Sequence, residues 1–283
     1  MKKFAYNENI QSLEVSELFF ADGLKHAQKK GYKRIRVLKD SSSSSNVLDL
    51  SPLSENDIIE SLNISQDIIL RKIDFSPLYV CTSLQELMTP YMHGAIDFSK
   101  IPQLRTLYLS SAKNELIDLN LIQVTDLLLA GIKDKNLNFI TAPKLKTLRL
   151  SGGSLNSLQG LEKCENLREL DISHCSKISV MDTLRDLNLT KLSIEKCKEL
   201  RDYSVLSGHP TLKELFISEL DSLAFVTSMK AIEYLKFWDV KDGDLSPLLK
   251  SKSLKTVDFS PQKKHYTHSN DEINLLLKNA TAR

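Results

Sequence analysis

A chain of 283 residues with 41% apolar residues and a formal net charge of +2 has material for a sizeable core. It lacks the concentrated basic footprint of a nucleic-acid binder. Nine glycines and eight prolines exclude a low-complexity chain, and no run reaches the roughly 18 consecutive apolar residues that span a bilayer. The opening MKKFAYNENIQSLEV has two lysines with no apolar run behind them, so no secretory signal is expected. A cytoplasmic protein is the expectation, with four cysteines that form no disulfide framework.

In chain order, NIQSLEV comes first, with Ile10, Leu13 and Val15 as apolar anchors of a strand. An amphipathic helix is predicted over about residues 17–30, with Leu18, Phe19, Leu24 and Ala27 on one face and Gly31 as its stop. Gly23 weakens that helix. YKRIRVL then reads as a strand around Ile35 and Val37. The serine run Ser41–Ser45 reads as a mobile loop, because it cannot bury surface to offset its ordering entropy. DLSPL follows at Asp49–Leu53, returns as DFSPL at Asp74–Leu78 and again as DLSPL at Asp244–Leu248. In each, proline sets a turn and leucine points inward.

The middle of the chain repeats L-x-x-L-x-L. It appears as Leu145/Leu148/Leu150, Leu167/Leu170/Ile172, Leu189/Leu192/Ile194 and Leu212/Leu215/Ile217. With the middle anchor as register mark, twelve copies run through Leu13, Ile35, Leu62, Leu87, Leu107, Leu127, Leu148, Leu170, Leu192, Leu215, Leu235 and Val257. Most steps between them are 20 to 23 residues, which marks a stacked repeat architecture. A second track with three-residue spacing fills the return halves. Its members include Leu78/Cys81/Leu84, Phe98/Ile101/Leu104, Phe139/Ala142/Leu145, Leu161/Cys164/Leu167 and Val226/Met229/Ile232. That spacing suits short 3-10 turns. After Phe259 a helix is predicted, capped by Ser269 or Asn270, with Ile273, Leu275, Leu276 and Leu277 apolar. The expected organisation is a repeat array over 1–260, with its serine-rich loop at 41–45, and a capping segment over 261–283.

The L-x-x-L-x-L strand, the N/C position after it, the D-L-S-P-L return segment and the 22-residue period resemble leucine-rich repeat proteins, of the bacterial internalin-like subclass. The resemblance implies an α/β solenoid: a curved right-handed coil with a parallel β-sheet on the concave face and irregular or 3-10 turns on the convex face. It also implies protein binding without catalysis. The chain departs from the pattern where asparagine is usual. That column holds Ala112, Ile132, Gly153, Cys175, Cys197, Leu220 and Val240, so a side-chain ladder bonding backbone there is expected to be largely absent. No wall anchor or internalin-type secretion signal is expected, which counts against a surface adhesin; an adhesin exported without a standard signal is the alternative reading, and enzyme chemistry a more remote one.

Catalytic and metal motifs are not apparent. Cys81 and Cys164 fall in the return track and Cys175 and Cys197 in the asparagine column, places for small hydrophobes. His174 neighbours Cys175, but adjacent strand residues point to opposite faces. His265 and His268 form H-x-x-H, with His93 far off in sequence and no C-x-x-C to complete a zinc set. No cofactor is expected.

The outward column between the second and third anchors is more informative. It reads Glu14, Arg36, Asn63, Met88, Tyr108, Leu128, Arg149, Asp171, Ser193, Phe216, Lys236 and Asp258. Met88, Tyr108 and Leu128 fall on consecutive strands about 4.8 Å apart. Phe216, Tyr234 and Trp238, the only tryptophan, form a second apolar group around Lys236. Exposed aromatic clusters mark interaction sites, with Arg149 and Asp171 as flanking charges. The expected partner is another protein, not nucleic acid or membrane, bound by a monomer and regulated or neutralised by it as an immunity-type protein would do.

Overall fold

The computed structural model describes residues 3–40, 48–68, 73–90, 96–110, 116 and 118–281. The serine tract, Ala112 and His93 lie outside the described residues. The chain divides into two compact units, Met1–Lys133 with Phe139–Lys144, and Asp134–Asn138 with Leu145–Arg283.

In the first unit, β1 (Phe4–Asn7), β2 (Ser12–Ser16), β3 (Arg34–Leu38), β4 (Ser61–Ile64), β5 (Glu86–Pro90) and β6 (Thr106–Ser110) lie side by side, followed by β8 (Asp126–Ala130). Two short strands, β7 (Leu119–Asn120) and β9 (Ile140–Thr141), pair separately in the return half. All pairs from β2 onward are parallel, and the register joins Leu13, Ile35, Leu62, Leu87, Leu107 and Leu127 in one row. The predicted anchors are therefore literal cross-strand neighbours. β1 was not legible as a strand. It pairs antiparallel with β2 and covers the edge of the first repeat, where an unpaired row of backbone groups would otherwise face solvent.

The second unit repeats the pattern with β10 (Thr147–Ser151), β11 (Glu169–Ser173), β12 (Lys191–Glu195), β13 (Glu214–Leu220), β14 (Tyr234–Val240) and β15 (Thr256–Phe259). All are parallel, and Leu148, Leu170, Leu192, Leu215, Leu235 and Val257 form its anchor row. These leucines, with the third anchors and the return track, are buried. Parallel strands stacked in one register require a return segment of near-constant length, which the repeat period supplies.

Most return segments are 3-10 turns or single helical turns, among them Phe98–Lys100, Leu161–Lys163, Ala224–Ser228, α2 (Pro77–Val80) and α3 (Ser246–Lys250). The D-x-S motif starts them in a specific way. Asp49, Asp74 and Asp244 each accept the amide of the serine two residues on at 2.9 Å. Asp97 and Asp202 do the same for Ser99 and Ser204 at 3.2 and 2.8 Å. The carboxylate satisfies a backbone donor that a tight turn leaves over.

Several local expectations are corrected. The first helix begins with a 3-10 turn at Glu17–Phe19 and continues as α1 (Phe20–Lys30), closed by Gly31 at φ 72° with its N–H on Ala27 and Gln28 carbonyls. Its buried face is Phe20, Gly23, Leu24 and Ala27, while Leu18 is exposed. Gly23 belongs to that contact, because a Cβ there would lie 2.6 Å from Val15 Cγ1. Ile10 is exposed, since the strand starts only at Ser12. Phe139 is half-buried, and Leu137 and Ile140 are buried instead, because a strand replaces the 3-10 turn there. Gly153 is exposed at φ 97° and takes no inward place.

The last helix, α4 (Asn270–Thr281), is opened by a reciprocal capping box. Ser269 Oγ accepts the Glu272 amide at 3.3 Å and Glu272 accepts the Ser269 amide at 2.7 Å. Ile273 and Leu277 are buried, whereas Leu275 and Leu276 are exposed, as a 3.6-residue period demands of four nearly consecutive apolar residues. Between the buried pair, Asn274 turns its amide onto the free edge of β15. It accepts the Val257 N–H at 3.0 Å and donates to the Val257 carbonyl at 2.8 Å.

Candidate functional site

Strand alternation sends every second side chain of each unit's sheet away from the core, and the central outward column lies in register. In the second unit it runs Arg149, Asp171, Ser193, Phe216, Lys236 and Asp258. Phe216 meets Trp238 edge-on with ring centroids 5.2 Å apart, a favoured aromatic geometry. Lys196 places its ammonium 5.8 Å from the Trp238 ring centroid. Tyr234, Phe216 and Trp238 are half-buried, so each keeps surface available.

Lys236 does not stand alone at the centre of these rings. Its ammonium pairs with Asp258 at 2.6 Å, and the Tyr234 hydroxyl reaches the same carboxylate at 3.5 Å. The Asp258 carboxylate raises the Lys236 pKa by hydrogen bond and by charge. Burial, with Asp258 beside it, also lifts the Tyr234 phenol. Asp171 sits opposite Arg149 across the strands. Burial pushes its carboxyl above the ordinary range and Glu195 adds to the rise, while Arg149, Lys191 and Ser193 pull the other way.

Lys196 was not legible as a site residue. It follows β12 at φ 52°, and its amide donates to the buried Ser218 Oγ at 2.8 Å. One repeat earlier, His174 sits at φ 57° with its amide on the Glu195 carbonyl at 2.8 Å. The signal in the sequence is positional: each directly precedes a cysteine of the inward column.

In the first unit, Met88, Tyr108 and Leu128 are register partners on β5, β6 and β8, as their spacing predicts. They join Arg36, Asn63, Gln66 and Asp67 in lining an open cavity of about 300 Å³. Asn63 Nδ2 contacts Met88 Sδ at 3.3 Å, so this group is mixed in polarity rather than apolar.

The four cysteines are free and buried. Burial pushes Cys175 up to about 12 and Cys164 and Cys197 up to about 11, and raises Cys81. A thiol held that high supplies almost no thiolate at neutral pH, which nucleophilic attack requires. Cys175 and Cys197 instead take up part of the role of the missing asparagines, with Sγ 3.3 Å from the Gly152 carbonyl and 3.5 Å from the Glu195 carbonyl. His174 is exposed while Cys175 faces the core. His265 Nε2 lies 3.1 Å from the Val240 carbonyl and His268 Nδ1 2.9 Å from Thr267 Oγ1. Among the described residues no group of three or more His, Cys, Asp or Glu side chains is arranged to hold a metal, and no helix is long and apolar enough to cross a membrane.

Parallel strands in one repeated register, closed by 3-10 turns and single helical turns, define the fold as a leucine-rich repeat solenoid. No family model and no curated protein matches the sequence. Among solved structures, the chain is similar to one in the crystal structure of the mouse RP105/MD-1 complex, with a TM-score of 0.53 and 18% identity. The likeness covers 87% of this chain and 53% of the other, so the chain spans about half the length of that relative. At this identity the likeness speaks for the fold.

Proposed function

We propose that this chain is a cytoplasmic, non-enzymatic protein-binding module, a monomeric array over 1–260 capped by 261–283, of the internalin-like repeat type. The open face of the C-terminal unit holds the partner, and binding regulates or neutralises that partner in the manner of an immunity protein. The observation that carries this reading is the contact of Phe216 with Trp238 on the outward side of adjacent strands, with Tyr234 on the same strand. Aromatic anchors of this kind dominate binding energy when a partner desolvates them. Met88, Tyr108 and Leu128 form a second contact region in the N-terminal unit. Arg149 and Asp171 steer encounter and select among partners more than they add affinity.

The test is affinity capture from the native host with the wild-type chain and with Trp238→Ala, followed by a binding titration of the captured protein. Truncation should weaken binding by about 2 kcal/mol or more, while the circular dichroism spectrum and melting temperature stay near wild type. Equal capture by both proteins would place the interface elsewhere.

A further inference from the structure

We infer that the partner segment seated on the C-terminal face is basic, presenting an arginine or lysine head beside an apolar side chain. This rests on the protein-binding reading above and names the chemistry that the face accepts. The outward positions of β11 and β12 form a checkerboard. Asp171 pairs with Ser193 in one row, and Ser173 with Glu195 in the next. Two carboxylates thus lie on a diagonal over two small side chains, which leave depth between them. They are near enough for Glu195 to disfavour ionisation of Asp171.

One wall of this notch is apolar. Ser193 pairs with Phe216 on the next strand, and Trp238 leans on Phe216 at 5.2 Å. A guanidinium or ammonium head entering the notch would meet both acids, and its alkyl stem would lie along the aromatic edge. A neighbouring apolar residue of the same segment would cover the Trp238 ring.

Charge on the face selects the same partner. The outward rows of its strands carry Glu169, Asp171, Glu195, Glu214 and Asp258 against Arg149, Lys191 and Lys236. The bases are already engaged: Lys191 lies 3.4 Å from Glu214, Lys236 lies 2.6 Å from Asp258, and Arg149 faces Asp171 across the strands. Glu195 has Lys196 at 3.4 Å, but that lysine is largely exposed and belongs to the rim beside Trp238. An acidic segment would meet an excess of like charge, whereas a basic one relieves it.

The probe is a displayed library of random dodecapeptides, panned on the full chain and counter-selected on Trp238→Ala. Affinities of selected peptides are then read from the fluorescence of Trp238, the only tryptophan. The expected result is enrichment of arginine or lysine next to an apolar residue. The Asp171→Asn/Glu195→Gln double variant should bind such peptides about tenfold or more weakly. Replacing the basic residue of the peptide by citrulline or glutamine should cost a similar factor, with little further loss when both changes are combined. Glu195→Gln alone, which keeps the size of a half-buried side chain, serves if the double variant folds poorly. Peptides that need Trp238 but show no basic enrichment and bind the acid variants unchanged would overturn this inference and leave the binding face standing. Peptides that do not distinguish wild type from Trp238→Ala, or a library that yields none, would overturn both.

Discussion

Asn274 performs a task that usually needs another strand. β15 ends the sheet of the second unit, and its outer edge would present the Val257 N–H and C=O unpaired. The Asn274 amide meets both, at 3.0 and 2.8 Å, and is itself held by the Asn270 carbonyl at 2.9 Å. Each such bond contributes about 0.5–1.5 kcal/mol net, and a buried backbone group left without a partner costs about 1–3 kcal/mol. Val257 is 1% exposed, so water reaches it poorly and the second figure applies. Asn274→Ala should therefore cost on the order of 2–4 kcal/mol. Asn274→Asp should be no better, because it keeps the acceptor and sets an anionic oxygen against the Val257 carbonyl. Repeat arrays open from their ends, so the sharpest assay is amide hydrogen exchange. Val257 and its neighbours on β15 should exchange roughly 30-fold or more faster in the variant, while β11 changes little. Exchange at Val257 within about twofold of wild type would show that α4 covers the edge by bulk, through Ile273 and Leu277, and that the amide is incidental.

Leu170→Ala, in the middle of the second anchor row and 1% exposed, should lower stability by about 2–5 kcal/mol in denaturant unfolding. The four cysteines should resist thiol reagents in the native state and react fully once unfolded, because each is buried with a raised pKa. His209 should make stability fall in mild acid. Burial lowers its pKa, and its Nδ1 accepts the Thr211 and Leu212 amides at 3.4 and 3.2 Å, which only a neutral ring can do. The unfolded chain then takes up a proton that the folded chain refuses. This contribution is complete above about pH 6.5 and is lost as the pH falls through the lowered folded value. His209→Asn should flatten the melting temperature between about pH 7 and about pH 5, as Asn56 at the same repeat position already bonds two amides at 3.2 Å without titrating.

The anchor rows were legible because one leucine per repeat, at nearly constant spacing, can be satisfied only by stacking. Their register partners match the sequence series through both units. What stayed hidden was polar chemistry inside the return track. Cys81, Ala142, Cys164 and Met229 sit six residues before their anchors, and an apolar pattern finds them. Asn56, His209 and Ser251 occupy the same place in their repeats. They look like breaks in the pattern until their bonds to amides two or three residues on are visible. The helix faces were misjudged at single residues, Leu18 and Leu275 among them, because composition alone does not set the helical phase. The outward column was correct in membership and incomplete in meaning. Lys236 is tied to Asp258 by a contact 22 residues apart in sequence, and no local pattern announces that pairing.

The turn after each strand separates what the repeat needs from what the face can use. In successive repeats of the second unit, the residue directly after the strand sits at positive φ: Gly152 at 65°, His174 at 57° and Lys196 at 52°. Each sends its amide to the following repeat, onto the Ser173 carbonyl, the Glu195 carbonyl and Ser218 Oγ, all at 2.8 Å. Glycine does this without strain, whereas a side chain there costs about 1–2 kcal/mol. The fold needs only the backbone at these places, so glycine would serve better for stability at all three. The two that keep side chains follow β11 and β12, the strands that carry Asp171 and Glu195, and the second brings an ammonium within 5.8 Å of the Trp238 ring. Both strained residues thus lie at one end of the face proposed to bind the partner, where the core gains nothing from their side chains.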